Sequence, residues 1–195
     1  MSEMKSAWER AMERVEKLGK PSEEELKRLE HIPTGNMLAA RYLHEDNFDL
    51  DAELNKHKGT GIRQYIIQGA QEIFLRNITL PHDEQSKLTL SKSMKGIRLL
   101  KENKKQLDVV FDRINNLLSY YEQARQQAFV QFKKNFETKL EEISKSLQQR
   151  TNMGTSMEAE LQQQFQEEWR RVSSDLDAQY EKALEEHRQQ IIGLA

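Results

Sequence analysis

The chain has 195 residues, a length typical of one domain or of one domain with an extension. Charged residues make up 32% and the hydrophobic set 36%, against averages of about 25% and 45–50%, which argues against a large round core. With only eight glycines and three prolines, the composition favours long helices with one buried stripe and nearly excludes an all-β fold. The absence of cysteine excludes disulfides, thiolate zinc sites and cysteine nucleophiles, and fits the reducing conditions of a cytoplasmic protein.

Residues 1–58 are predicted to form several short helices, because glycine and proline interrupt this part. The first helix has an apolar stripe at steps of three and four residues, and Gly19 ends it. The stripe consists of Met4, Trp8, Ala11, Val15 and Leu18. It needs a partner surface, so Trp8, Met12 and Val15 are candidate contacts with a second copy of the chain in a homodimer.

Three further short helices are predicted in the same part. One begins at Pro21 and ends near His31, before Pro33, since proline suits the first turn of a helix and disrupts its interior. Another follows Asn36, and the last begins near Asp49. Acidic residues after Pro21 suit the positive end of a helix dipole.

Between Gly59 and Gln106 the pattern predicts two longer helices. The first, from Ile62 to a point near Pro81, is the most hydrophobic segment of the chain and is expected inside the compact body. The second starts near Asp83. Residues 1–106 are thus predicted to form an N-terminal helical body.

Residues 107–195 are predicted to form a long, nearly straight antiparallel helical hairpin with its turn at residues 151–155. From Leu107 to Leu147, apolar residues recur without interruption at a mean spacing above the 3.5 residues that give a left-handed supercoil. Thr155 with Glu158 forms a capping box that restarts a helix. Its stripe consists of Leu161, Phe165, Trp169, Val172, Leu176, Tyr180, Leu184 and Ile191.

The two stripes are complementary when paired residue numbers sum to about 308. In this register Ile143 faces Phe165, Leu140 faces Trp169 and Ala128 faces Tyr180, so large side chains face small ones at several positions. It also places His187 opposite Tyr121 as a packing pair. The same contacts would form within one chain or between two exchanged chains, so both alternatives remain open.

The basic concentration of the chain lies in residues 92–105. Lys95, Arg98 and Lys105 fall on one helical flank and, with Lys101, are candidate contacts for an anion or an acidic partner. A phosphate backbone is one such anion. The alternative is a basic helix balanced by the acidic last helix.

Other motifs lack the pattern that their chemistry needs. Gly59-Thr60-Gly61 has no Gly-Lys-Ser/Thr and no preceding strand, so a helix start is favoured over a phosphate loop. The acidic loop from His44 to Glu53 has neither calcium-loop nor His-Glu-x-x-His spacing. Tyr120 and Tyr121, with Phe165 and Trp169, are interpreted as core residues at helical spacing. No catalytic residues, metal or cofactor are predicted.

Several short strings resemble an uncharacterised bacterial family of long-helix proteins. They are the segment Lys5 to Glu9 followed by Ala11-Met12-Glu13, then Leu75 to Ile78 before Leu80-Pro81, and Tyr120 to Gln123. The resemblance covers about the first two-thirds of the chain and implies a bacterial, intracellular protein. It transfers no site residues.

The sequence therefore predicts an all-α interaction or scaffold protein without enzymatic activity, composed of a compact bundle of short helices and the long hairpin. Its expected partner is another protein or a second copy of itself. The alternative is nucleic-acid binding through the basic helix 92–105. An enzyme with a metal in the loop from His44 to Glu53 is a third hypothesis. No membrane span is expected.

Overall fold

The computed structural model describes residues 21–147 and 156–194, with side chains described in 21–141 and 160–194. These residues form six helices and no strand, which confirms the predicted all-α fold. The helices are α1 (Glu23–His44), α2 (Leu50–Asn55), α3 (Arg63–Arg76), α4 (Glu84–Leu100), α5 (Lys104–Leu147) and α6 (Ser156–Gly193).

The described residues form two compact units. The first contains residues 21–76 and 95–100, and the second contains residues 77–94 and 101–194. Residues 77–94 therefore group with the long helices α5 and α6. Whether 1–106 and 107–195 fold as separate domains stays a prediction.

Helix α1 continues through Pro33, so the predicted break between His31 and Asn36 is wrong. Proline inside a helix removes one backbone hydrogen bond and costs about 3 kcal/mol. The Pro33 side chain is exposed, and the packing of the next turns on α3 offsets this cost. The acidic first turn is as expected, but the helix begins at Glu23, so Pro21 lies before it and not in its first turn. Ser22 caps the helix, and its Oγ accepts a hydrogen bond from the Glu25 amide at 3.2 Å.

The contact between α1 and α3 depends on two glycines. A Cβ atom on Gly35 would collide with the backbone carbonyl of Ile66, and one on Gly69 would collide with that of Ile32. The two backbones therefore approach more closely than any side chain would allow. Because this contact involves Ile32 before Pro33 and Gly35 after it, it explains why α1 does not end there.

The remainder of the first unit packs around Phe74, which is completely buried. The Phe74 ring meets Tyr42 edge to face at 5.6 Å between centroids. The short helix predicted near Asp49 is confirmed as α2, since the Asp49 carboxylate accepts a hydrogen bond from the Ala52 amide at 3.0 Å. Leu50 and Leu54 bury its apolar side.

In the second unit, α5 and α6 pack side by side in antiparallel directions. The stripe predicted on α5 is buried from Leu107 to Tyr121 and again at Phe132 and Phe136. On α6, Val172 is 44% exposed and the neighbouring Ser173 is buried in its place. The predicted stripe is thus confirmed at these buried positions of α5 and wrong at Val172 on α6.

The predicted register of this pair is wrong by about two helical turns. The Phe136 ring meets the Phe165 ring edge to face at 5.1 Å between centroids, and the Tyr121 ring contacts the Tyr180 ring at 5.3 Å, so the numbers of each pair sum to 301 and not to 308. A shift of seven residues returns each side chain to the same helical face, and apolar periodicity alone therefore cannot fix the register. The contacts between the aromatic rings of α5 and α6 fix the register.

Two long side chains, Arg188 and Lys101, make hydrogen bonds between distant parts of the second unit. The Arg188 guanidinium donates to the Ile78 carbonyl from Nε at 2.8 Å and from Nη2 at 2.5 Å. It also pairs with Glu181 and Glu185. Lys101 donates to the carbonyl of Leu194.

Within the described residues, no helix is both long enough and apolar enough to cross a membrane.

Candidate functional site

A cleft of about 450 Å³ opens in the second unit, within the size range of small-ligand sites. The segment before α4 and the first turn of α4 form one side, α5 forms the floor, and α6 contributes Trp169. The lining residues are Pro81, His82, Asp83, Glu84, Lys87, Tyr121, Glu122, Arg125, Gln126, Phe129 and Trp169.

The hydroxyl group of Tyr121, which lines the cleft, forms hydrogen bonds with residues outside α5. The hydroxyl donates to the Asp177 carboxylate at 2.7 Å, and the His82 Nδ1 lies 3.2 Å away. Because the single hydroxyl proton points to Asp177, His82 must donate from Nδ1 to the hydroxyl oxygen. Burial first, and then the bond to Asp177, raise the pKa of Tyr121 far above its ordinary value. The phenol therefore stays protonated and acts as a hydrogen-bond donor.

Lys87 is held between two carboxylates on the rim. Its ammonium group lies 3.2 Å from Glu84 and 3.2 Å from Glu122. Hydrogen bonds to Glu122 and then to Glu84 raise the pKa of Lys87. Asp83 is also occupied, since its carboxylate accepts from the Ser86 amide at 2.7 Å, and this bond lowers the pKa of Asp83.

Arg125 differs from these residues. Its Nε atom is buried and has no hydrogen-bond acceptor among the described residues. A buried donor without a partner costs about 1–3 kcal/mol. Beside it, the rings of Phe129 and Trp169 meet edge to face, with centroids 5.0 Å apart. The cleft thus combines a cation that lacks an acceptor with an aromatic wall.

The sequence predicted different partners for these residues. Tyr121 bonds to His82 and Asp177, whereas His187 lies 3.5 Å from Gln190, so the predicted His187 pairing is wrong. The shifted register is the reason. Tyr120 is 65% exposed and is not a core residue. The part of the cleft that the sequence does mark is the segment from Pro81 to Ser86. Its pattern predicts the start of a helix but no binding site.

The four basic candidates divide between the two units. Lys95 and Arg98 are exposed in the first unit, and Lys105 is exposed in the second. Lys101 is only 9% exposed and its ammonium group donates to the Leu194 carbonyl, so its role as a contact for an anion or an acidic partner stays a prediction. The carbonyls at the end of α6 attract a cation, which explains its position. Burial lowers the pKa of Lys101.

Helix α1 presents an apolar row on the side opposite its packed face. Leu26, Leu29 and Met37 are 50%, 72% and 54% exposed, and Pro33 between them is also exposed. Their spacing of three and four residues places them on one helical face. Leu38 and Ala39, by contrast, are buried. We refer to Leu26, Leu29, Pro33 and Met37 as the α1 apolar row.

Several predicted features lie outside the described residues. These are the first helix with Trp8, Met12 and Val15, and the turn at 151–155 with its capping residue Thr155. Among the described residues, no group of three or more histidine, aspartate or glutamate side chains is arranged to hold a metal ion.

The model of a protein family matches most of the chain. It is a family of unknown function, DUF6657, and it matches residues 51–192. The chain belongs to this family. The sequence-based resemblance to an uncharacterised family is thereby confirmed, and the bacterial origin that it implied stays a prediction. No curated protein and no solved structure matches the chain. The cleft lies inside the matched residues, whereas α1 precedes them.

Proposed function

We propose that this member of DUF6657 is a non-enzymatic interaction protein that associates with a second copy of itself and presents its long helical pair to a protein partner. The observation that carries the proposal is the α1 apolar row. Exposed apolar side chains are common one at a time, but a continuous row along one helical face is typical of an interface. A cytoplasmic setting, which the absence of cysteine fits, and a bacterial origin, which the sequence resemblance implies, are part of the proposal.

The α1 apolar row suits a two-fold contact between identical helices. In an antiparallel arrangement, Leu26 would face Met37 of the second copy and Leu29 would face Pro33. The first turn of α1 is acidic and its last turn contains Arg41 and His44. The same arrangement brings opposite charges together at both ends of the contact, and a two-fold axis repeats each favourable pair.

The outer face of α5 supports a second contact, with a different protein. Val109, Tyr120 and Val130 are 51%, 65% and 57% exposed. They lie 11 and 10 residues apart, about three helical turns each, and therefore share one side of the helix. Tyrosine is enriched at protein interfaces because its ring is apolar and its hydroxyl remains hydrated.

The cleft supports recognition more than catalysis. Its general acid and base candidates are engaged with each other: the Tyr121 hydroxyl with Asp177, and Lys87 with two glutamates. A catalytic base needs a pKa near the working pH and an accessible lone pair. The phenol of Tyr121, with its raised pKa, does not meet the first condition.

The oligomeric state tests the central claim. Light scattering coupled to size exclusion should give a dimer for the wild type and a monomer for Leu29→Lys, because a lysine in the row would be buried without a partner. Leu88→Lys is the matched control, since Leu88 is also about half exposed but lies on α4. Trp8→Ala tests the predicted first helix in the same assay.

A monomeric wild type would contradict the proposal, as would a dimer that survives Leu29→Lys. If the protein is monomeric and Leu29→Lys nevertheless lowers its stability strongly, the result would indicate that residues 1–20 of the same chain cover the α1 apolar row. Tagged purification from the native host then tests the partner claim: a stoichiometric partner should be lost on Tyr120→Asp and retained on Ser119→Asp, whose site is exposed but polar.

Nucleic-acid binding is the second candidate function. The exposure of Lys95 and Lys105 favours it, and the burial of Lys101 counts against it. Affinity for duplex DNA or RNA should fall steeply with salt and weaken in Lys95→Glu with Arg98→Glu. Binding that is indifferent to both changes would exclude this candidate.

A further inference from the structure

We propose that the cleft floored by α5 binds an organic carboxylate with an aromatic group, with Arg125 holding the carboxylate and Phe129 and Trp169 contacting the aromatic ring. This site is distinct from the α1 apolar row, so it does not depend on the self-association proposed above. Its residues lie in one compact unit.

The charge of the ligand follows from the pairing inside the cleft. Lys87 is neutralised by Glu84 and Glu122, each at 3.2 Å. Among the described residues, no carboxylate pairs with Arg125, and the buried Nε of Arg125 has no acceptor. An incoming anion therefore meets a guanidinium that lines the cleft and has no carboxylate partner among the described residues. A guanidinium donates two parallel hydrogen bonds to a carboxylate, which makes this group a fitting ligand.

A cationic ligand is the main alternative, because acidic residues also line the rim. Their carboxylates, however, already accept hydrogen bonds: Asp83 from the Ser86 amide at 2.7 Å, and Glu84 and Glu122 from Lys87. These contacts already offset part of the negative charge of the rim, whereas the charge of Arg125 is offset by no carboxylate pair among the described residues. The pairing favours an anion.

The aromatic part of the ligand follows from the wall next to Arg125. Phe129 and Trp169 are both only half-buried although each contacts another ring. Their exposed surfaces line the same cleft as the guanidinium. A planar apolar group attached to the carboxylate would cover them and exclude water from the charged contact. The cleft volume of about 450 Å³ accommodates a ligand of this size.

The two tryptophans of the chain provide a direct readout. Two indole N–H signals are expected in a nitrogen-proton correlation spectrum, and Trp8→Phe assigns them. Titration with phenylacetate should shift the Trp169 signal to saturation. Phenethylamine, which replaces the carboxylate by an ammonium group, should leave the signal unchanged. Equal or tighter binding of the amine, or no saturable shift with phenylacetate, would overturn the proposal.

Substitution of Arg125 provides the second test. Arg125→Gln should weaken phenylacetate binding at least tenfold, and Arg125→Lys should weaken it less because the charge remains. Arg113→Gln on the exposed side of α5 is the matched control and should bind as the wild type does. Unchanged binding in a folded Arg125→Gln would also overturn the proposal. If Arg125→Gln does not fold, Arg125→Lys and the amine comparison still decide.

The carboxylate has two sources that the same assay separates. A tripeptide ending in phenylalanine with a free carboxylate represents the end of a protein chain, and phenylacetate represents a small metabolite. Both should bind if the site reads only the shared chemistry. The same peptide with a terminal amide should not bind. Binding of the amide as tight as that of the acid would show that Arg125 is not the recognition element.

Discussion

Tyr120 and Tyr121 are neighbours in the sequence with opposite environments. Tyr121 is completely buried and donates to Asp177, whereas Tyr120 is 65% exposed. A single helical step of about 100° separates the face that packs on α6 from the face proposed for a partner. The pair therefore provides matched substitutions of the same chemical type.

Tyr121→Phe should lower the free energy of unfolding by about 1–3 kcal/mol, because Asp177 and His82 lose their shared hydroxyl partner. Tyr120→Phe should change it by less than about 0.5 kcal/mol. Urea denaturation followed by circular dichroism measures both. Equal effects of the two substitutions would mean that the hydroxyl network of Tyr121 does not stabilise the fold.

The raised pKa of Tyr121 makes stability depend on alkaline pH. The phenol ionises in the unfolded chain near pH 10.0 but at a higher pH in the folded protein. Its contribution is therefore fully present below pH 10 and is lost as the pH rises toward the folded pKa. The difference in unfolding free energy between the wild type and Tyr121→Phe should shrink above pH 10. A difference that stays constant there contradicts this assignment.

Helices α1 and α3 show how one element can override a local signal. Pro33 predicts a helix end, yet α1 passes through it, because the contact at Gly35 and Gly69 requires helical backbone on both sides. Local propensity is worth a few kcal/mol at most, and close packing between two helices outweighs it.

Gly35→Ala should destabilise the protein by about 1–3 kcal/mol or more, since its Cβ would collide with the Ile66 carbonyl, which belongs to rigid helical backbone. Gly61→Ala is the control, as nothing lies within 4 Å of a Cβ there. Thermal unfolding measures the shift in midpoint. If both variants unfold at the same temperature, the close approach of α1 and α3 is wrong.

The sequence was informative about elements and poorly informative about how they pair. The buried stripe of α5 and the start of α4 near Asp83 follow from spacing and capping, which are local. The register of α5 on α6 depends on which rings cluster, and a periodic stripe fits several registers. The cleft was missed for the same reason, since Arg125 and Trp169 lie 44 positions apart.

At the scale of the whole molecule, contacts divide the described residues into two units, with α4 contributing residues to both. The family match covers residues 51–192. It therefore includes the described residues of the second unit up to residue 192, but only part of the first unit. On our proposals, the cleft lies in the matched part and the α1 apolar row precedes it.

Hydrogen exchange should distinguish the two units. Gly35→Ala should speed amide exchange in α1 and α3, because their contact is lost, and leave the centre of α5 unchanged. Tyr121→Phe should have the reverse pattern. Mass spectrometry of peptic fragments locates the change. Uniform acceleration over all described helices in both variants would mean that the chain unfolds as one cooperative unit.

The bond from Arg188 to the Ile78 carbonyl also bears on the order of events during synthesis. The two residues are 110 positions apart, so the carbonyl of Ile78 emerges from the ribosome long before its donor exists. Non-local contacts of this separation form late and slowly. The second unit is therefore expected to complete its packing only after residue 188 has emerged, whereas α1 and α3 can pair as soon as residue 76 has emerged.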